Sequence, residues 1–414
     1  MNPLHKLERE VLEEGQEWTR KRLEERLQEQ IEEQGSVCPE SGLVLKKRRR
    51  RLLELRTVSG IVKLKAWYGF STAQGKWVTP CRQLWGLDPY QRTTPELQAR
   101  LCYTATEVGS YERASRMASR WGTPISDDLI RDEVQRQGQK AEHANWPAPK
   151  PTPDQADFSL VIMMDGWMVR ERGVDWGKNK KYNSENRVNW HEIKCAVIYR
   201  LEQRASTQSG RGMLLEKYIV ARPPDTEPLE FGKAVEREAL RRGLAQAAKV
   251  YVVMDGALWL WDLANDRFAR SIKTLDFHHA SEHMWVIGNT VYGEGTKETK
   301  KWVKGLLHQL RHGQVDRMIR RLDQLLEKWE FESATVRKTL KREIEYFRKH
   351  ADHIHYQDRA QAGTPIGSGA VESLARQLQN RFKSCGQFWS REALTNLLAI
   401  STTFKNQDEC FLWN

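Results

Sequence analysis

The chain has 414 residues, of which 29% are charged and 39% hydrophobic, and a formal net charge of +12. That length supports two or three domains with proper cores, and no apolar run approaches the roughly 20 residues of a membrane-spanning helix. The start, MNPLHKLEREVLEEGQEW, lacks the apolar stretch of a secretory signal, and the six cysteines are scattered without disulfide or CxxC spacing. The expectation is a cytoplasmic protein with no membrane partner, whose basic charge favours a polyanion.

Residues 1–35 predict one amphipathic helix. Leu4, Leu7, Val11, Trp18, Leu23, Leu27 and Ile31 recur at intervals of three, four, five and seven, too irregular to assign a coiled coil. It serves either as a dimerisation helix or as packing for its own domain. Residues 36–90 follow as a β-hairpin region, with TVSG between two β-like runs, the second ending in the alternating IVKLKAWY. The basic run Lys46, Lys47, Arg48, Arg49, Arg50 and Arg51 tracks phosphates or forms a solvated strand edge. Residues 91–145 read as short helices, with Ser110 and Ser126 as N-caps and Gly122 and Gly138 as helix ends. Three short helices in a basic protein suit a helix-turn-helix-like DNA binder, although such trios are common. The stretch 146–156, NWPAPKPTPDQ, has four prolines in 11 residues and reads as a stiff linker.

Beyond it the pattern changes. FSLVIMMDGWMVR, HEIKCAVIYRLE and LLEKYIVAR predict three strands, LEFGKAVEREALRRGLAQAAK a helix, and VYVVMDGA a buried strand. LWLWDLANDRF is helical, SIKTLDF a short strand, and HASEHMWVIGNTVYG a helix. The order β-β-β-α-β-α-β-α implies a mixed five-stranded sheet with helices on its faces, an α/β class. Residues 157–292 carry this core, 293–360 a charged helical insertion, and 361–414 the final helices after TPIGSG.

Two strands finish alike, in VIMMD with Asp165 and YVVMD with Asp255, each followed by glycine. An acid directly after buried strand residues is costly unless paired or bound to a metal, and glycine lets the chain turn away at the strand's end. A helix returning across the sheet can lay the first-turn carboxylate of GSGAVES, Glu372, beside both. Three crowded carboxylates repel one another, and hard divalent cations remove that penalty. Two ions at such a site activate an attacking oxygen and stabilise a leaving one in phosphodiester chemistry. Arg376, one helical turn beyond Glu372, and then Arg381 and Lys383 are candidate DNA contacts.

MDGALWLWD, LDFHHASEH and GSGAVES, in that order, resemble bacterial insertion-sequence DDE transposases, specifically the Kra-type group. The resemblance covers roughly residues 157–414 and, more loosely, the whole chain. It implies an RNase H-like core with Asp165, Asp255 and Glu372 as a triad for two Mg²⁺ or Mn²⁺ ions, preceded by a separate N-terminal α+β DNA-binding region. It implies cleavage at the terminal inverted repeats, transfer of the freed 3′-hydroxyl to target double-stranded DNA, and a homodimer or higher oligomer associated with the bacterial nucleoid. The family's zinc ribbon is degenerate here: CPESG keeps Cys38 but has Ser41 at the second ligand position, and YGFSTAQG has no cysteine. One thiolate cannot hold structural zinc, so a metal-free hairpin packed around Trp67, Tyr68 and Trp77 is expected. The basic residue that many such enzymes place seven positions after the glutamate is Gln379 here.

Two other readings remain open. His279, Glu282 and His283 fit HxxEH, used on a helix by inverted zinc peptidases, but no third ligand is identifiable. Within the nuclease reading His279, His283 and Asp276 are secondary candidates near the triad. A domesticated protein that binds DNA without cutting it is the other alternative. Among 16 tryptophans, Trp167, Trp259 and Trp261 beside the aspartates, and Trp389, are packing residues first and base-stacking candidates second.

Overall fold

The structure, a computed structural model, describes residues 2–148, 157–178, 185–206, 208, 212–328 and 333–413. The chain divides into two compact units, one of residues up to Ala141 together with those from Glu409, the other spanning Glu142–Asp408. Of the linker expected over 146–156, residues 149–156 lie outside the described residues.

In the first unit, α1 (Pro3–Gln34) begins where Asn2 accepts from the Leu4 N–H and proline occupies the first turn, where its missing N–H costs nothing. Leu23, Leu27 and Ile31 of α1 pack on Leu53, Leu55, Val62 and Leu64. Those four belong to β1 (Lys46–Thr57) and β2 (Gly60–Ser71), an antiparallel hairpin closed between Thr57 and Gly60. Gly60 has φ 114°, a conformation that glycine adopts without strain. A third strand, β3 (Lys76–Val78), pairs with the end of β2 and was not legible in the sequence. Farther along, where β2 lacks that neighbour, Glu24 and Gln28 of α1 accept from the Lys63 and Lys65 N–H groups at 2.9 Å each, so the helix satisfies an edge that would otherwise be open. Cys38 is buried beside Leu45 and Val78, and Tyr68 stacks on Trp77 at 5.2 Å.

Four helices follow: α2 (Pro80–Leu84), α3 (Pro95–Glu107), α4 (Tyr111–Arg120) and α5 (Asp127–His143). Ser110 caps α4 through the Arg113 N–H at 3.2 Å, and Ser126 accepts from Leu129 N–H at 3.3 Å. Gly122, at φ 81°, follows α4 as expected. Gly138 does not end a helix. It is buried within α5, where the strong helix formers around it outweigh its weak propensity.

The second unit is built on β4 (Ser159–Arg172), β5 (Val188–Arg200), the short ribbon β6 (Arg204–Ser206) and β7 (Gly212–Leu214), and β8 (Tyr218–Arg222). Then come α6 (Pro228–Arg241), β9 (Lys249–Met254), α7 (Leu258–Arg267), β10 (Ile272–Leu275) and α8 (Phe277–Tyr292). The five-stranded sheet has the order β10-β9-β4-β5-β8, with β9 and β10 parallel to β4 and with β5 antiparallel to its neighbours. This is the mixed sheet read from the sequence, and it is compatible with an RNase H-like fold. On one face Leu160, Ile162 and Met164 join Val252, Met254 and Phe231 in a core that also takes in α8.

The remaining helices are α9 (Lys297–Arg311), α10 (Val315–Lys328), α11 (Ala334–Lys349), α12 (Tyr356–Gln361), α13 (Gly369–Phe382) and α14 (Arg391–Lys405). Val303, Leu306, Met318, Leu322, Ile344 and Phe347 of α9 to α11 belong to that same core. The other face is covered by α13, packed on β4 and β5, and by α14, packed on β8.

Candidate active site at the ends of the central strands

On parallel strands β4 and β9, Met164 pairs with Met254. Asp165 and Asp255 are each one residue farther on, so the register brings them to the same end of the sheet, on neighbouring strands. Asp255 lies just past the end of β9, where its Oδ1 accepts from the Ala257 N–H at 2.8 Å and its carbonyl accepts from the Trp261 indole at 2.8 Å. The matching expectation for Asp165 is corrected. β4 does not end there but runs on to Arg172, because β5 keeps pairing with it as far back as Val188. Past the end of β9 the free edge of β4 is taken up by the chain around Trp389, with Arg172 N–H to Trp389 O at 2.8 Å and Trp389 N–H to Arg170 O at 3.1 Å.

Glu372 arrives from α13, and buried Asp276 holds the entrance to that helix. Asp276 follows β10, is 0% exposed and caps α8: its Oδ2 accepts from the His279 N–H at 2.9 Å and sits 2.8 Å from His279 Nδ1. Its Oδ1 accepts from the Ser368 N–H at 2.7 Å, and the Phe277 N–H donates to Ile366 O at 3.0 Å. Ser368 in turn donates its hydroxyl to Glu372 Oε1 at 2.9 Å. Asp276 therefore ties the end of β10 and the start of α8 to the turn that launches Glu372. Such full satisfaction keeps a buried carboxylate charged: burial opposes its ionisation, but the His279 ring and the two N–H groups hold it below its ordinary range. It is a positioning group, not one that reaches a phosphate.

Asp165 feels the charges of the other two acids. Burial first, then the charges of Asp255 and Glu372, push Asp165 up to about 6, against the opposing Gly166 N–H and His279. His279 is pushed up to about 9, mainly by its bond to Asp276 and further by Asp255 and Asp165, so an imidazolium faces the acids at neutral pH. Each acid has one oxygen engaged locally, Asp165 by the Gly166 N–H at 2.7 Å, Asp255 by Ala257 and Glu372 by Ser368. Among the described residues no group of three His, Cys, Asp or Glu side chains is already arranged around a metal position.

One acidic residue here was missed. A Cβ on Gly166 would overlap the Glu192 carboxylate, so that carboxylate lies against the backbone next to Asp165. Burial and the charge of Asp255 push Glu192 up, with Lys194 opposing. The signal was present: Glu192 and buried Lys194 alternate with Ile193 and Cys195 just before the apolar run of β5. The glycine after Asp165 thus makes room for a carboxylate; it does not end the strand.

His283 stands one ring away from Asp255, because the Tyr346 ring it stacks on lies against Gly256. Its Nδ1 meets Glu343 of α11, and its ring stacks on Tyr346 at 3.6 Å. No third metal-binding side chain joins His279 and His283 among the described residues. Of the basic candidates, Arg376 is exposed and Lys383 half-buried with its Nζ 5.4 Å from the Trp190 ring centre. Arg381 is 4% exposed and lies over Trp389, turned into the protein because α13 presents that side to the sheet, so it is withdrawn as a DNA contact. Lys46 to Arg51 lie exposed on β1 in the first unit. There Arg50 pairs with Glu32, Arg48 and Arg50 lie over Trp67, and Arg49 and Arg51 over Tyr68. Trp167 and Trp389 both pack on Phe382, and Trp261 on His353.

No protein-family profile matches the chain, and no curated protein matches it. Among solved structures it is similar to the Drosophila P element transposase strand transfer complex, at 11% sequence identity and a TM-score of 0.26, over 76% of this chain and 79% of that one. At that score the likeness fixes neither fold nor function.

Proposed function

We propose that the protein is a DNA strand transferase that cuts at the terminal repeats of a mobile element and joins the freed 3′-hydroxyl to target DNA. The observation that carries this reading is the placing of Asp165 and Asp255 by strand register, with Glu372 close enough for its charge to act on Asp165.

The donor set fits a hard divalent cation. It is all oxygen, the charges of Asp255 and Glu372 raise the proton affinity of Asp165, and each acid has a second oxygen beyond the one engaged locally. Asp165, Asp255 and Glu372 would hold Mg²⁺ or Mn²⁺, which when bound supplies neutralising charge and lowers the pKa of a coordinated water. Protonated His279, fixed by Asp276, offers a cationic contact for a phosphate oxygen beside the acids. Ser368 orients Glu372. The exposed arginines of β1 and the overall charge supply sequence-independent affinity for duplex DNA. Synapsis of two element ends calls for at least two copies, and the exposed apolar stripe Leu4, Leu7, Val11 and Trp18 on α1 is the surface to assign to their contact.

The test is cleavage of a supercoiled plasmid carrying the DNA that flanks the coding sequence, with Mg²⁺ or Mn²⁺ added. Nicking at the repeat ends that disappears in Asp255→Asn, with the circular-dichroism spectrum unchanged, supports the proposal. Tight, salt-sensitive binding of those ends by a wild type that never cuts overturns it in favour of the non-cutting DNA binder. Stoichiometric zinc lost on His279→Ala would instead restore the peptidase reading.

A further inference from the structure

Beyond Met164, β4 and β5 leave the five-stranded sheet as a ribbon, since β9 pairs with β4 only as far as Met164 and β8 pairs with β5 only from Lys194 on. The ribbon's two faces differ. Trp167, Val169 and Glu171 are buried, whereas the alternate positions carry Met168 and, on β5, Trp190, which are 43% and 52% exposed. This open face starts at Gly166 and Glu192, where Glu192 feels the charge of Asp255 and the Asp165 side chain lies on the other side of the ribbon, and runs outward. Arg170, opposite Trp190 in the register, stands roughly 17 Å along the strand from Asp165.

Rings and cations alternate along that face. Arg170 lies 5.8 Å from the centre of Trp190 and 4.9 Å from that of Phe388, and Lys383 approaches Trp190 at 5.4 Å. Phe388 packs on Trp176 at 4.9 Å, and Arg172 and Arg187 both lie within 6 Å of the Trp176 ring centre, at 5.4 and 5.8 Å. Backbone acceptors pin the guanidiniums: Arg170 donates to Ser384 O at 2.8 Å and Arg172 to Phe388 O at 3.0 Å. The one acid of this face between Gly166 and Arg172 of β4 and the facing part of β5 is Glu192, at the inner end. Glu171 points to the opposite, buried face, where Arg391 holds it at 2.6 Å.

We infer that this strip binds an unpaired DNA strand, with Trp190 stacking on one base and Arg172 and Lys383 meeting backbone phosphates. A duplex keeps its base faces inside, so an exposed indole flanked by cations gains most from a strand whose bases are free. The inference rests on the strand-transferase reading only in placing the strip beside the scissile bond; the binding itself stands on the ribbon. It supplies what such chemistry needs, a hold on the strand separated next to the cut.

The experiment uses the full chain in EDTA, where nothing is cut, and reads the anisotropy of a short fluorescein-labelled oligothymidylate and of a mixed-sequence duplex of equal length. Trp190→Ala should weaken single-strand binding about ten-fold, and Trp190→Phe should retain most of it. Duplex affinity should change less than about two-fold, because backbone charge carries it. Unchanged single-strand affinity in Trp190→Ala overturns the inference, as does an equal loss in Trp190→Phe or a parallel loss on duplex. Tighter binding of oligouridylate overturns the assignment to DNA. Should Trp190→Ala fail to fold, Arg172→Gln serves: a salt slope lower by about one supports the strip and an unchanged slope overturns it. Cleavage is scored separately. A wild type that holds the single strand through Trp190 but never cuts sinks the strand-transferase reading and leaves the strip. One that cuts while Trp190→Ala binds normally sinks the strip alone.

Discussion

From Ser159 to Met164, β4 lies between β9 and β5 with helices over both faces, and from Leu160 to Met164 every side chain is apolar and buried. From Gly166 to Arg172 the same strand has lost β9, gained the chain around Trp389 on that edge, and has one face open; there buried and exposed residues alternate. A strand covered on both faces needs a continuous apolar run, and one covered on a single face needs a period of two. Asp165 stands at the changeover. A carboxylate placed there adjoins packed, low-dielectric strand and is itself only partly buried. That combination raises its proton affinity and still admits a ligand.

The comparison can be broken at four points. The largest effect is expected from the acids. Asp165→Asn should lower strand cleavage by roughly three orders of magnitude, about 4 kcal/mol of barrier. Glu171→Gln, on the outer half, should leave cleavage within a few-fold while costing about 3 kcal/mol of stability through its broken pairing with Arg391. Plasmid nicking and urea unfolding separate the two; equal losses of cleavage would erase the distinction between the halves. Next is packing. Ile162→Ala, in the doubly covered half, should cost about 4 kcal/mol in urea unfolding, and Val169→Ala, in the ribbon, about 2 kcal/mol. Equal costs would mean that the ribbon is as deeply packed as the sheet.

The third expectation reverses the usual sign. Asp165 is held up at about 6 against an ordinary 3.8, so the stability present below its ordinary value is lost as pH rises through 6. In metal-free protein at neutral pH its ionisation costs about 3 kcal/mol, and Asp165→Asn should melt higher than wild type. The gain should vanish near pH 3.8. A gain that persists in acid would point to packing instead of charge. The smallest effect is steric. Gly166→Ala should cost about 2 kcal/mol by forcing the Glu192 carboxylate away, and adding Glu192→Ala should restore most of it; a double variant no better than the single would remove Glu192 from this corner.

Much of the sheet was legible because burial writes itself into composition. The apolar runs ending at Met164 and Met254 announced central strands, and Ser110 and Ser126 announced helix starts through a bond that needs only neighbouring residues. The glycines misled. Gly166 and Gly138 each read as a local stop, yet one makes room for a side chain from β5 and the other sits in a helix interior. Arg381 read as a surface cation because a sequence gives charge without direction, and its place on α13 turns it inward.

Sequence by itself determined which segments bury themselves, and so the five strands of the central sheet and the two Asp-Gly doublets, because apolar periodicity is a property of consecutive residues. Only the tertiary structure decided which strands are neighbours and in what register, that Asp276 anchors the turn before Glu372, and that Glu192 comes to lie on Gly166. Those relations join residues far apart in the chain. They are fixed by hydrogen-bond pairing and packing between elements, which no single stretch encodes.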